Sequence, residues 1–167
     1  MSIGPRVSFY GIPPHASRHI DGGVDEITSK LDYRAMNILQ AKAINTTVFS
    51  TTSTSYVDIT GLSVSITLPA ASNVLVYSRV YQVYDDTANT TIYERLLRDG
   101  TAIAYLILGY AGAANERYNS LIQTFQTNLA AGSYTFKLQG QVSAGTGTWG
   151  MTTGGYAGEI TVIAFPY

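Results

Sequence analysis

The stretch that decides the fold is "GSYTFKLQGQVS", residues 132 to 143, in which apolar and polar side chains alternate. Tyr134, Phe136 and Leu138 are separated by Thr, Lys and Gln. Because successive side chains of a β-strand point to opposite faces, this period of two predicts a strand with one buried face and one wet face. The stretch "SVSITLP", residues 63 to 69, repeats the pattern.

Further runs rich in Val, Ile, Thr and Tyr follow at regular spacing. They are separated by turn signals such as "RDGT" and "AAGS", whose Gly, Asp and Ser residues favour tight turns. The predicted runs cover residues 73–84, 91–98, 102–110, 117–129 and 158–165. Seven or eight strands at this spacing predict an all-β domain, a β-sandwich or single jelly roll, over residues 45 to 167.

The first 44 residues have a different composition, with most of the prolines and both histidines. Prolines and a Gly-Gly pair favour extended backbone and a turn over residues 1 to 23. Residues 25 to 43 contain good helix formers between apolar positions, which indicates one short helix or broken turns. We therefore expect an extended N-terminal arm, residues 1 to 44, ahead of the β domain.

Composition excludes several classes of function. The chain has no cysteine, a net charge of -1 and only 13% charged residues. Thiolate metal sites and thiol nucleophiles are therefore absent, and the broad basic surface of a nucleic-acid-binding protein is missing. Neither a signal peptide nor an apolar run of about 18 residues is seen, so we expect a protein made in the cytoplasm without membrane insertion.

Two of the predicted strands are apolar on both faces. A sandwich core covers one face of a strand, so the other face needs a second covering surface. An identical subunit is the simplest candidate, and the alternative is a central strand covered by loops. The predicted subunit-contact residues are Tyr105, Ile107, Tyr110, Ile163 and Phe165.

His15 and His19 are candidates for metal binding because four-residue spacing puts two imidazoles on one face of a helix. The Glu of a His-Glu-x-x-His zinc protease is missing, so a metal would need several copies of the chain about a threefold axis. The favoured interpretation is that the imidazoles and Arg18 hydrogen-bond to backbone or to nearby acids. No resident metal or other cofactor is predicted.

No catalytic residues are predicted. Residues 45 to 167 lack histidine, which removes the usual ligands of a cupin-type metal enzyme, and Asp85 and Asp86 are interpreted as solvated turn residues. Trp149 and Tyr156, in a Gly-rich stretch, are candidates for contact with a ligand or receptor. Six aromatic residues have two alternative roles. They could stack on sugar rings at a receptor site, or they could pack in the core or in a subunit interface. They are Tyr81, Tyr84, Tyr105, Tyr110, Trp149 and Tyr156.

Several quoted segments, taken together, resemble a known family. "TTSTSYVDITGLSVSITLPAASNVLVYSRV", "LLRDGTAI", "TFQTNLAAGSYTFKLQGQVSAGTGTW" and "GEITVIAFPY" are similar to C1q/TNF-like jelly rolls in trimeric head domains of phage and other viral fibre or decoration proteins. The likeness covers residues 46 to 167. In the arm, "HASRHIDGGVDEI" resembles a His-Ala-Ser-x-His-x-x-Gly-Gly-x-Asp segment that recurs in phage tail and virion proteins before such domains.

The resemblance implies a non-enzymatic structural protein on the virion surface. It would be a homotrimeric knob, capsid decoration or fibre head, joined to a capsid or tail protein through the arm. The alternative is an adhesion module of a tail fibre that binds a host glycan or protein receptor. The arm residues implied in attachment are Pro13, Pro14, His15, Arg18, His19, Asp21, Gly22, Gly23 and Asp25.

Overall fold

The computed structural model of the protein describes residues 38–108, 113–150 and 157–167, and within these ranges it is all-β. The predicted fold class is therefore confirmed. The strands are β1 (Leu39–Asn45), β2 (Phe49–Thr51), β3 (Val57–Leu68), β4 (Ser72–Asp85), β5 (Ile92–Arg98), β6 (Thr101–Leu108), β7 (Tyr118–Leu129), β8 (Gly132–Val142), β9 (Gly147–Trp149) and β10 (Gly158–Pro166).

The strands form two antiparallel sheets. In the first, sheet A, β4 pairs with β7 along one edge and with β10 and then β9 along the other. Strands β1 and β2 continue that sheet outside β10 and β9. Sheet B has the order β3-β8-β5-β6.

The eight longer strands pair in a nested order, which is the topology of a jelly roll. In chain order the first of them pairs with the last, β1 with β10, and the next pairs inward are β3 with β8 and β4 with β7. The innermost pair, β5 with β6, is a hairpin. Closing this nest puts the two sheets face to face, so one side of each strand enters the core.

The core is built from the inward side chains of both sheets. Val76 and Val162 of sheet A are fully buried, as are Phe136 and Leu138 of sheet B. These are the apolar positions of the period-two pattern, so burial of alternate residues holds the register of each strand. The alternate side chains of the same strands point away from the core and form the two outer faces of the sandwich.

The sandwich begins earlier than residue 45. Strand β1 starts at Leu39, and the chain divides into the units Met1–Met36 and Asn37–Tyr167. The helical turns expected over residues 25–43 are wrong for residues 39–43, because these pair with β10 as a strand. Residues 1–37, which hold the rest of the predicted arm, lie outside the described residues.

Candidate binding and subunit-contact surfaces

The outer face of sheet A carries a continuous apolar row. Strand register puts Ile163 of β10 opposite Leu75 of β4, and Leu75 opposite Phe125 of β7. Leu121 lies on the same face, and both it and Phe125 are 55% exposed. Phe165 extends the row at its end. We call Leu75, Leu121, Phe125, Ile163 and Phe165 the sheet A patch.

Charged side chains beside the sheet A patch are already paired. Lys42 of β1 forms an ion pair with Glu159 of β10. The guanidinium of Arg79 lies 4.3 Å from the ring centroid of Tyr81. Because a charge that is paired costs less to exclude from water than an isolated one, these contacts are compatible with a covering surface.

The outer face of sheet B has a different character. Its β3 and β8 half is hydroxyl-rich, with a hydrogen bond of 2.8 Å between the side chains of Ser65 and Thr135. Its β5 and β6 half carries Tyr105 and Ile107, each 64% exposed. The predicted subunit-contact residues therefore lie on both outer faces of the sandwich. Tyr105 and Ile107 are on the face of sheet B, and Ile163 and Phe165 are on the face of sheet A. Tyr110 lies outside the described residues.

A polar and aromatic row crosses sheet B. Strand pairing aligns Asp58, Gln139, Arg95 and Tyr105 on neighbouring strands. Gln139 Nε2 donates to Asp58 Oδ1 at 2.7 Å, and Arg95 Nε donates to Gln139 Oε1 at 2.7 Å. The Arg95 guanidinium lies 4.1 Å from the ring centroid of Tyr56. We call Tyr56, Asp58, Arg95, Tyr105 and Gln139 the sheet B row.

The electrostatics of the sheet B row fix its charge state near neutral pH. Hydrogen bonds from Gln139 and Lys137 lower the pKa of Asp58, so its carboxyl is ionised. Burial raises the pKa of Tyr56, with Arg95 acting in the other direction, so its phenol is neutral. The row therefore presents an acceptor, an amide, a cation and a neutral aromatic ring side by side.

Glu94 is a buried carboxyl that the sequence analysis missed. It is fully buried between the sheets, and Trp149 Nε1 donates to its Oε1 at 2.8 Å. Burial raises the pKa of Glu94 to about 7, while Ser120 and Trp149 act in the other direction. Among the described residues, Oε2 of Glu94 and Oγ of Ser120 have no hydrogen-bond partner. The Ser120 hydroxyl is therefore near the carboxyl without forming a hydrogen bond of good geometry to it.

The predicted role of Trp149 in ligand contact is wrong, because its side chain has no exposed surface. The indole packs over Gly140 of β8, in the facing sheet, and over Gly147 of its own strand. A Cβ at Gly140 would come within 2.5 Å of the ring, and one at Gly147 within 2.9 Å. Trp149 is therefore a core residue that these glycines accommodate, and Tyr156 lies outside the described residues.

Asp85 and Asp86 differ despite being adjacent. Asp86 is exposed and accepts from the Thr146 N–H at 2.8 Å, which lowers its pKa. Asp85 is buried and accepts from the Thr87 N–H at 2.8 Å, and its burial raises its pKa. The interpretation as solvated turn residues is thus correct for Asp86 and wrong for Asp85.

Over residues 38–108, 113–150 and 157–167 no group of three or more His, Asp or Glu side chains could hold a metal ion. His15 and His19 lie outside that part of the chain. The same holds for the other residues implied in attachment, which are Pro13, Pro14, Arg18, Asp21, Gly22, Gly23 and Asp25. No helix of the described ranges is long and apolar enough to span a membrane.

Comparisons with known proteins return solved structures alone. No family model and no curated protein matches. The chain is similar to Eiger TNF from S. frugiperda, with 15% identity, a TM-score of 0.47 and coverage of 75% of this chain and 91% of that one. It is also similar to the tripod from the baseplate of bacteriophage Tuc2009, with 16% identity, a TM-score of 0.42 and coverage of 100% and 80%. Likeness at this level carries no information about partners or ligands.

Proposed function

We propose that the protein is a non-enzymatic structural protein of a virion. Its jelly roll forms a trimeric surface knob through the sheet A patch, and its arm, residues 1 to 44, attaches the knob to a capsid or tail protein. The observation that carries the proposal is the apolar row on the outer face of sheet A. The family resemblance of the arm and of the jelly roll supports the virion setting and the number of subunits.

The sheet A patch has the properties of a contact between copies. Phe125 and Leu121 project from the middle of a regular strand, and complete burial of such a side chain contributes about 1.5–3 kcal/mol. The centre of the patch lacks charge, which is typical of the core of a subunit interface. Three linked knobs would also attach three arms at once, so weak arm contacts would be strengthened by avidity.

A charge placed in the sheet A patch tests the assembly. We expect the wild-type chain to have the mass of a trimer in solution and Phe125→Asp to have the mass of a monomer, because burying an unpaired carboxylate is costly. Light scattering coupled to size exclusion measures both masses. Thr67→Asp is the matched control, since it adds the same charge to an exposed position on the opposite face.

Retention of the trimer by Phe125→Asp, with an unchanged circular dichroism spectrum, would remove the sheet A patch from the interface. A wild-type chain that stays monomeric up to millimolar concentration would contradict the trimeric knob itself. Dissociation of both Phe125→Asp and Thr67→Asp would show that added charge acts through folding and not through one face.

The second candidate function is adhesion to a host surface. The observation that favours it is the sheet B row, where an exposed tyrosine stands beside hydrogen-bonded polar groups. An exposed aromatic ring beside fixed polar groups can stack on a ligand while those groups hydrogen-bond to it. The two functions are compatible, because they use opposite faces of the sandwich.

A further inference from the structure

Tyr105 is an aromatic side chain in an unusual position. It lies in the interior of β6, the edge strand of sheet B, opposite Arg95 of β5, and is 64% exposed. The polar neighbours beside it are already joined by hydrogen bonds. A rigid, exposed tyrosine offers a large contact area with little loss of side-chain entropy on binding.

We propose that the sheet B row binds a pyranose ring of a carbohydrate. Tyr105 stacks on the apolar face of the ring, and Arg95 of the neighbouring strand donates to its hydroxyl groups. Asp58, which has two strands between it and Tyr105, accepts from a hydroxyl of the adjoining sugar unit. This inference rests on the adhesion function named above and assigns it a site and a class of ligand.

The donors and acceptors of the row match those of a sugar. A hydroxyl both donates and accepts, so a sugar site needs groups of each kind close together. The Asp58 carboxylate accepts, and the Arg95 guanidinium donates. Within the described part of the chain only Nε of Arg95 donates a hydrogen bond, which leaves its two terminal amino groups for a ligand.

The row is organised before a ligand arrives. Gln139 donates to Asp58 and accepts from Arg95, so its amide has one orientation. Arg95 is also stacked on Tyr56, and Lys137 Nζ holds Asp58 Oδ2 at 3.0 Å. Groups that are fixed in advance lose little freedom when they bind, so a small ligand keeps more of its contact energy.

The local charge narrows the class of sugar. Arg95 and Lys137 carry two positive charges against the single negative charge of Asp58. The site therefore has a net charge of +1 in a chain whose overall charge is -1. A neutral or acidic pyranose fits this field, and a basic amino sugar does not.

The competing occupant of this face is a second copy of the chain. Interface cores are depleted of charged groups, and the sheet A patch fits that description at its centre. The face that carries Tyr105 instead has the Arg95 guanidinium beside it and the Lys137–Asp58 ion pair farther across the sheet. We therefore assign the sheet A patch to self-association and the sheet B row to the ligand.

The test uses the full chain and defined sugars. Methyl glycosides of glucose, galactose, N-acetylglucosamine and galacturonic acid are titrated by saturation-transfer NMR, and an array of immobilised oligosaccharides is probed in parallel. We expect saturable binding of at least one of these sugars. Tyr105→Ala should weaken that binding at least tenfold, and Arg95→Lys should weaken it severalfold because the planar fork is lost.

Ser65→Ala is the control, since it removes an exposed hydroxyl from the same face away from the row and should leave binding unchanged. Absence of binding to every sugar, or equal binding by wild type and Tyr105→Ala, would overturn the inference. Mass measurements on the same samples separate the two proposals. Loss of the trimer in Tyr105→Ala would assign Tyr105 to the interface and overturn the sugar site, whereas a Phe125→Asp monomer that still binds sugar would support it.

Discussion

Glu94 is an ionisable side chain in the core, where water cannot solvate its charge. Its side chain projects from β5 into the core, and its hydrogen-bonded partner is the indole of Trp149. A carboxyl deprived of water keeps its proton to higher pH. Glu94 is thus a neutral hydrogen-bonding residue of the core below pH 7 and a buried anion above it.

The stability of the protein should fall as the pH rises from 5 to 8. A Glu carboxyl ionises near 4.5 in the unfolded chain and near 7 in the folded one, so between these values the folded state holds a proton that the unfolded state lacks. The difference of about 2.5 in pKa corresponds to about 3 kcal/mol of unfolding free energy. Glu94→Gln should remove most of this slope and be more stable than wild type at pH 8.

Urea unfolding at pH 5, 6, 7 and 8, at one protein concentration, measures this slope. Glu116→Gln is the control, because it changes an exposed carboxylate and should leave the slope as in wild type. The raised pKa of Asp85 acts in the same direction, so any slope that Glu94→Gln retains should have the same sign. Identical slopes for Glu94→Gln and wild type would show that Glu94 ionises in the folded protein as it does in water.

At the scale of single elements, two glycines are needed for different reasons, one for backbone conformation and one for space. Gly100 lies in the hairpin turn between β5 and β6, with φ of 85° after Asp99 with φ of 48°, and has nothing within 4 Å of an added Cβ. Positive φ at both central residues is the geometry of a two-residue hairpin turn that matches strand twist. Gly140, in the middle of β8, instead leaves room for the ring of Trp149.

Alanine substitutions should therefore differ in cost. Gly100→Ala should lower the unfolding free energy by about 1 kcal/mol, from backbone strain alone. Gly140→Ala should lower it by about 3 kcal/mol, because Trp149 is displaced from the core and from Glu94. Chemical denaturation followed by fluorescence of Trp149, the one tryptophan of the chain, measures both. Equal costs would mean that the indole moves aside freely.

Sequence patterns predict long strands better than short ones. The run expected over 158–165 is β10, Gly158–Pro166, because nine residues rich in β-branched and aromatic side chains are enough to indicate a strand. Strands β2 and β9 have three residues each and show no period. Strand β1 does alternate, but its Leu, Gln, Ala and Lys residues are good helix formers, and pairing with β10 overrides that preference.

In the candidate sites, features that follow from the pattern of one strand could be predicted, and features that depend on packing between distant residues could not. Strand β6 is apolar on both faces, so the sequence could indicate that one of them, carrying either Tyr105 or Leu106, lies outside the core, and the structure exposes Tyr105. The buried position of Glu94 is also present in the pattern, since it shares its phase with Ile92 and Leu96. The burial of Trp149 could not be predicted, because it depends on Gly140 of the facing sheet, which comes close to the indole only when the two sheets pack together.

On the scale of the whole molecule, the sandwich has two outer faces with different chemistry. The face of sheet A is apolar along a row that crosses three strands, and the face of sheet B combines hydroxyls, charges and an exposed tyrosine. A molecule that self-associates through one face can leave the other free for a ligand. This division makes assembly and adhesion separable by mutation.

Removal of residues 1 to 24 should separate attachment from assembly. We expect the shortened chain to keep its β-sheet circular dichroism and the mass of the wild-type assembly, because the sandwich begins at β1, Leu39–Asn45. It should no longer join virus particles, as measured by co-sedimentation with particles that lack the protein. A chain in which residues 1 to 24 are replaced by Gly and Ser residues of equal length controls for length and should also fail to attach. Failure of the shortened chain to fold or to assemble would make the arm part of the knob, and continued attachment would place the anchoring contacts after residue 24.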